Sequence, residues 1–196
     1  MEPMTYPADF QLDAPEELDR WRPLVQWFLC IPHLFIANVL RNVGSAVAVI
    51  SWFVILFTGK LPDGLANLQC LVLRYETRAY SYATFLRADY PPFEFSMTPA
   101  DPATDQVQAS FGPELEDRNR LTVGLRFLWI IPIALYLIVM SIAAAFVYLA
   151  AFFAILFTGR WPNGMRTFVI KVMRLNIRVR AYGSLLVDDY PPFALV

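Results

Sequence analysis

Four arginines stand in two pairs, Arg74 with Arg78 and Arg174 with Arg178, each pair four residues apart. On a helix that spacing puts two guanidiniums on one face, where they can grip a phosphate or carboxylate. The anion expected is a lipid headgroup, a small solute, or the chain's own Asp89 and Asp189. The plainer alternative is long cationic side chains snorkelling to headgroups or to helix C-terminal carbonyls. Other reactive residue types have less support. His33 is the single histidine, and a zinc or haem site needs further ligands that the chain does not cluster. Cys30 and Cys70 form no disulfide framework and read as small apolar filler. Thr58, Ser51 and Ser141 have no adjacent base to activate them. Asp89 and Asp189 precede Tyr-Pro-Pro and read as turn residues. The chain is therefore read as a non-enzyme with no metal and no cofactor.

The elements that position those arginines hang on a corner. ILFTGKLPDG, residues 55–64, returns as ILFTGRWPNG at 155–164. In each copy a long apolar run stops at Thr-Gly. Gly59 and Gly159 suit a helix C-cap, which takes a left-handed residue. Lys60 and Arg160 suit a helix C-terminus and lipid headgroups. Pro62 and Pro162 end one helix and can start another, and Gly64 and Gly164 follow. The corner is where the chain is expected to leave a bilayer and turn along its surface.

The corner is one part of a tandem duplication. From residue 20 to 96, 23 of 77 positions match the residue one hundred further on. That is well above chance for so biased a composition, and the matches gather at the corner, the arginines and the tail. Of the 196 residues 57% are hydrophobic and 17% charged, against about 45–50% and about 25% in soluble domains. A net charge of −1 leaves no basic footprint for nucleic acid. There is no early apolar core with a small-residue cleavage site, so insertion is expected to rest on the internal segments.

From Leu24 the chain is apolar to Phe57, broken mainly by Arg41-Asn42 and Gly44. As one helix this is too long for a hydrocarbon core of about 30 Å, and Arg41 would sit near its centre. The expectation is therefore a transmembrane or re-entrant hairpin, Arg20–Leu40 then Val43–Phe57, with its turn at Arg41-Asn42 and a kink at Pro32. Trp21, Trp27, Trp129 and Trp161 flank the apolar runs as an aromatic belt would. Asp13 with Glu16 suggests a helix start. After the corner, Leu65, Leu68, Val72, Tyr75, Ala79, Tyr82 and Leu86 form a helical stripe, as do Met165, Phe168, Val172, Leu175, Val179, Tyr182 and Leu186. Each predicts an amphipathic helix in the interface or packed on the hairpins. Ala8–Leu12, Phe93–Met97, Gln108–Phe111 and Phe193–Val196 read as short strands. The first is expected to pair with the second and the third with the fourth, in one small cytoplasmic sheet.

An apolar hairpin, then FTG-x-x-P-x-G, then Arg-x-x-x-Arg, then Asp-Tyr-Pro-Pro-Phe resembles the DUF4389 family of bacterial and archaeal membrane proteins. The likeness rests on Phe57-Thr58-Gly59 with Pro62 and Gly64, Arg74 with Arg78, and Asp89 to Phe93, with the same positions in the second half. It covers nearly the whole chain twice: residues 1–97 as one repeat, 98–106 as a linker, 107–196 as the other. The second copy departs from the first by lacking a polar break near Ser141. The resemblance implies an architecture and no chemistry.

The fold class expected is an all-α membrane protein of two repeats, each a helical hairpin plus an interfacial amphipathic helix, with short β-strands in a small cytoplasmic sheet. Its function is expected to be that of an accessory or scaffolding subunit of a larger bacterial membrane complex. The alternative is a small protein that binds anionic lipid or solute through Arg74, Arg78, Arg174 and Arg178. Its partners would be the lipid bilayer, other integral membrane subunits and bound phospholipid. Most cations flank the apolar runs, so the positive-inside bias puts both corners and both termini on the cytoplasmic side of a bacterial inner membrane.

Overall fold

The computed structural model describes residues 6–14, 16–102 and 105–195. Val196, the last residue of the fourth expected strand, and residues 103–104 of the linker lie outside the described residues. In chain order the elements are β1 (Ala8–Leu12), α1 (Arg22–Thr58), α2 (Asp63–Ala83), β2 (Val107–Phe111), α3 (Arg120–Gly124), α4 (Arg126–Thr158) and α5 (Asn163–Gly183). The protein is mostly helical, with one small antiparallel ribbon. α1 and α4 are each long and apolar enough to cross a membrane.

The hairpin expected to turn at Arg41-Asn42 does not form. α1 runs unbroken for 37 residues, about 55 Å at ~1.5 Å per residue. Its polar middle finds protein partners where it stands. The Arg41 Nε donates to Glu76 Oε1 at 2.9 Å, Asn42 Nδ2 donates back to the Asn38 carbonyl at 3.0 Å, and Ser45 Oγ donates to the Arg41 carbonyl at 2.9 Å. A polar group with its partners in place has no reason to seek water. Gly44 marks close contact instead of a turn: a Cβ there would meet Val72 Cγ1 at 3.1 Å. Pro32 stays inside the helix.

A hairpin does exist, and the corner is its turn. Gly59 takes φ 74° and closes α1 with its amide on the Ile55 carbonyl at 2.7 Å; Gly159 takes φ 73° and does the same on Ile155. A residue with a Cβ would meet a cost of roughly 1–2 kcal/mol there. α2 then runs back along α1. Gln69 Nε2 donates to the Gly44 carbonyl at 2.7 Å, His33 meets Tyr75, and Gln26 Nε2 donates to the Tyr82 carbonyl at 2.7 Å. α4 and α5 repeat this, with Arg126 Nη1 donating to the Tyr182 carbonyl at 2.9 Å. The helical stripes are present, and of the two expected settings they take the packed one, against the long helices. α2 is buried nearly all round, with Val72, Tyr75, Ala79 and Tyr82 enclosed.

The halves are joined by a pseudo-two-fold axis. α1 and α4 run antiparallel: the Trp27 ring stacks on Phe152 at 5.3 Å near one end, and Trp52 Nε1 donates to the Val123 carbonyl at 2.9 Å near the other. The two corners therefore stand at opposite ends of the pair. Each half's lead-in packs on the other half's corner, with Leu18 N–H on the Gly159 carbonyl at 2.9 Å and Arg118 N–H on the Gly59 carbonyl at 3.0 Å. β1 pairs with β2 in the same symmetry, Ala8 opposite Phe111 and Gln11 opposite Gln108.

The strands expected at Phe93–Met97 and in the C-terminal tail are absent among the described residues, so both expected pairings are replaced by β1 with β2. The phenylalanines of the first tail dock on helices. Phe93 stacks on His33 at 4.3 Å and Phe95 on Tyr75 at 5.3 Å, while the Ser96 carbonyl accepts from Arg74. Asp13 and Glu16 start no helix. The Asp13 N–H donates to the Gln106 carbonyl and the Glu16 carbonyl accepts from Trp161 N–H. α2 and α5 end on Phe85 and Leu185, both buried and left-handed at φ 60° and 66°.

Candidate functional site

The first arginine pair lies in the interior, gripping the chain itself. α2 presents Arg74 and Arg78 to β2 and to the segment before it. Arg74 donates to the carbonyls of Ser96, Thr98, Pro99, Ala100 and Ala109. Its Nε stands 3.3 Å from Asp101 Oδ2. Arg78 donates to the Val107 carbonyl, to Asp101 Oδ1 at 2.8 Å and to Glu94. Arg87 pairs with Asp105 and donates to the Asp89 carbonyl at 2.9 Å. Three guanidiniums thus meet three carboxylates and a row of carbonyls out of water. The Asp89 carboxylate accepts from Gln106 at 2.6 Å.

The second pair is held more lightly. Asp9 of β1 serves both, 2.8 Å from Arg174 Nε and 3.7 Å from Arg178 Nη2. The rings of Phe10 and Tyr6 lie under the two guanidiniums. Asp189 contributes its carbonyl, which accepts from the Tyr6 hydroxyl at 2.8 Å. Its neighbour Asp188 carries the charge. Arg118 grips it two-pronged at 2.6 and 2.8 Å, and Arg126 joins it. Desolvation raises the Asp188 carboxyl, but the hydrogen bonds and charges of Arg118 and Arg126 outweigh it and hold the group below its ordinary value.

The remaining candidates divide between the core and the corners. His33 is buried, 2.9 Å from the Tyr75 hydroxyl. Cys70 lies at 0% exposure among apolar side chains, and burial pushes its thiol up to about 12. Thr58 donates to the Val54 carbonyl at 2.7 Å and accepts from the Lys60 amide, a device of the corner. Ser51 is buried on the α1 stripe. Gly64 and Gly164 have open space around them. No cluster of three potential metal ligands occurs among the described residues.

Sequence reasoning missed the place where four helices meet. A cleft of about 610 Å³ lies near the pseudo-axis. α1 and α4 supply Arg41, Ser45, Ser141 and Tyr148; α2 and α5 supply Glu76, Tyr80, Asn176 and Arg180. Glu76 is 1% exposed and bridges two guanidiniums, Arg41 at 2.9 Å and Arg180. The Arg41 guanidinium also lies over the Tyr80 ring and donates to its hydroxyl. Arg180 has no polar partner but Glu76 among the described residues. Its burial, and then the like charge of Arg41, pull it down to about 10. The cleft thus holds two cations and one anion. Glu76 stands two positions from Arg74 and Arg78, about 200° round α2 at ~100° per residue, so the cleft faces away from the ribbon. One signal was available: the one-hundred-residue partners of Arg41, Glu76 and Arg180 are Ser141, Asn176 and Tyr80.

Two helical hairpins swapped about a pseudo-dyad define a duplicated helical protein with two membrane-compatible helices. The family described as a domain of unknown function, DUF4389, matches residues 20–94 and again 120–194, and the chain belongs to it as a tandem duplication. No curated protein and no solved structure matches the chain.

Three outcomes follow from these pairings. Asp105→Asn should cost about 3–5 kcal/mol in denaturant unfolding, because it leaves Arg87 and Arg78 short of a buried counter-charge. Lys60→Gln, at an exposed pair with Glu116, should cost about 1 kcal/mol or less. Asp188, with its pKa depressed by folding, contributes stability that is present above the ordinary carboxylate range and lost as pH falls through its lowered value. Acid titration of Asp188→Asn should therefore show a flatter loss of stability at low pH than the parent, and an unchanged slope would remove this group from the acid transition.

Proposed function

We propose that the protein is a non-enzymatic accessory or scaffolding subunit of a membrane complex, seated in one leaflet with α1 and α4 parallel to the bilayer plane. The supporting observation is an apolar ridge along both helices. Phe28, Phe35 and Phe57 are 72%, 71% and 79% exposed. They fall within about 20° of one line at ~100° per residue. Leu128, Leu135, Phe146 and Phe157 form the matching ridge on α4. Contiguous exposed apolar surface of this extent marks a lipid or protein contact.

A spanning orientation for α1 is disfavoured by magnitude. Arg74 packs beside the middle of α1, because its helical neighbours Val72 and Tyr75 touch Gly44 and His33. Were α1 upright, the ribbon with exposed Gln11 would lie near the bilayer centre with the linker. Lipid-facing ribbon edges do not occur in hydrocarbon, and each charge there costs about 2.5–3.5 kcal/mol on insertion scales. An in-plane seat puts the ribbon in water. It also puts both corners, with exposed Lys60 and Arg160, at headgroup depth on one side. Cation bias then favours the cytoplasmic leaflet of a bacterial inner membrane, in place of a multi-pass path. A second reading, lipid handling, draws on the cleft, since Arg74 and Arg78 are enclosed.

The seat is tested by spin labels at Phe28, Phe35 and Phe57 in a background without Cys30 and Cys70. Equal depths are expected; a shallow, deep, shallow series would mean that α1 crosses. The subunit role is tested by mild-detergent extraction from the native membrane. The 22.4 kDa chain is expected to migrate with another integral membrane protein in stoichiometric amount, and migration as a lone monomer would end that proposal.

A further inference from the structure

The central cleft has a use that neither the family nor the frame of the fold assigns. We propose that it binds the phosphate of one anionic membrane lipid, the headgroup held by Arg41 and Arg180 and the acyl chains laid between α1 and α4. The inference rests on the in-plane seat, which brings the cleft within one leaflet's reach of headgroups.

Charge comes first. Glu76 is a single carboxylate shared by two guanidiniums, so the cleft has one positive charge in excess. Arg41 Nη1 makes no hydrogen bond among the described residues, and Arg180 uses only Nη1. Guanidinium donors facing a cavity, with no acceptor of their own, match phosphate oxygens. Glu76 orients both arginines so that little side-chain freedom is lost on binding. Asn176, Ser45 and Ser141 line the same space and can reach the glycerol or headgroup oxygens.

Shape agrees. About 610 Å³ falls within the range of ligand pockets, about 300–1,000 Å³. The side walls are α1 and α4, whose outer faces carry the apolar ridges, so a charged floor opens between apolar flanks. Small-molecule anions need no such flanks; an amphiphile does. The asymmetry also fits. Because the charged lining is not duplicated, the pseudo-axis presents one headgroup site, not two.

The test uses the full chain in phosphatidylcholine nanodiscs, with phosphatidylglycerol titrated in and retained lipid read by native mass spectrometry. One phosphatidylglycerol per chain is expected to be held in preference to phosphatidylcholine. Arg180→Gln and Arg41→Gln should each weaken it about tenfold or more. Lys60→Gln and Arg160→Gln, exposed cations at the corners, should leave it unchanged. Ser45→Trp fills the mouth with every charge intact and should abolish it, which keeps the question decidable if an arginine variant fails to fold. Equal retention of the two lipids would overturn the proposal. So would parent affinity in Arg180→Gln or Ser45→Trp. Displacement of the lipid by millimolar inorganic phosphate alone would show a free-phosphate site and also end it. Vesicle flotation separates the two failures: a parent chain that no longer floats refutes the seat, while floating variants that lose only the lipid isolate the site.

Discussion

The interaction on which the rest of this structure depends is the buried clasp between Arg74, Arg78 and Arg87 and the segment that follows the first repeat. Asp101 and Asp105 lie at 2% and 0% side-chain exposure against those guanidiniums. Arg74 adds a fan of carbonyl contacts from Ser96 to Ala109. The clasp fixes β2 on α2. With β2 fixed, β1 has an edge to pair with, and the pairing brings the N-terminal lead-in across to the second half's corner. The swapped contacts at Gly59 and Gly159 follow from that crossing. A two-stranded ribbon is marginal alone; here it is held from beneath by side chains that cannot leave without stranding charge. Separating either partner would leave the other charged and dry, which costs more than the intact pair contributes.

The second constraint is an inversion of the usual amphipathic order. α1 buries Gln26, His33, Gly44 and Ser51 and exposes its phenylalanines. α2 carries Arg74, Glu76 and Arg78 mid-length and is the most enclosed helix of its half. In water each exposed apolar side chain forgoes burial, at about 25 cal/mol per Å². Against lipid it is the low-energy choice, because polar groups are satisfied inside and the outer surface meets its own kind. The same constraint explains why α1 does not break at Arg41. An arginine with Glu76 and Tyr80 beside it is solvated by the protein, so the helix has no need to surface there.

Much of this was legible in the sequence and some was not, for reasons that differ by residue. The corner was legible because Gly59 and Pro62 declare themselves locally: one takes a left-handed φ and the other stops a helix. The duplication was legible because it is a comparison of the chain with itself. The hairpin was misplaced because a length argument assumed that α1 must stand upright and that Arg41 must face lipid; the partner that removes the penalty lies 35 residues away. The strand partners were misassigned because alternation marks a strand without naming its mate. Phe93 and Phe95 alternate for aromatic stacking instead. The ends of α2 and α5 have no left-handed glycine to announce them, since Phe85 and Leu185 take that conformation, closed by the Leu86 amide on the Ser81 carbonyl and the Leu186 amide on the Ala181 carbonyl. For the arginine pairs, spacing revealed a shared face and could not reveal that the chain supplies the carboxylates.

Duplication explains where new chemistry could arise on such a frame. Two copies folded about a pseudo-axis place equivalent residues symmetrically, and the turns that close each hairpin are kept in both. Gly59 and Gly159, Pro62 and Pro162, and the tails from Asp89 and Asp189 are of that kind. Near the axis the rule is different. There one residue of each copy meets the other, so a charge in one copy is answered by its complement in the second, and identity would be harmful. Two glutamates at 76 and 176 would bring like charges together across the cleft. Glu76 with Asn176, and Arg180 with Tyr80, avoid that clash and leave one cation in excess. The drift that makes these positions unremarkable in an internal alignment is therefore what a shared site on the axis requires. Arg41, Glu76 and Arg180 lack counterparts of their own kind, and all three line the cleft on the axis.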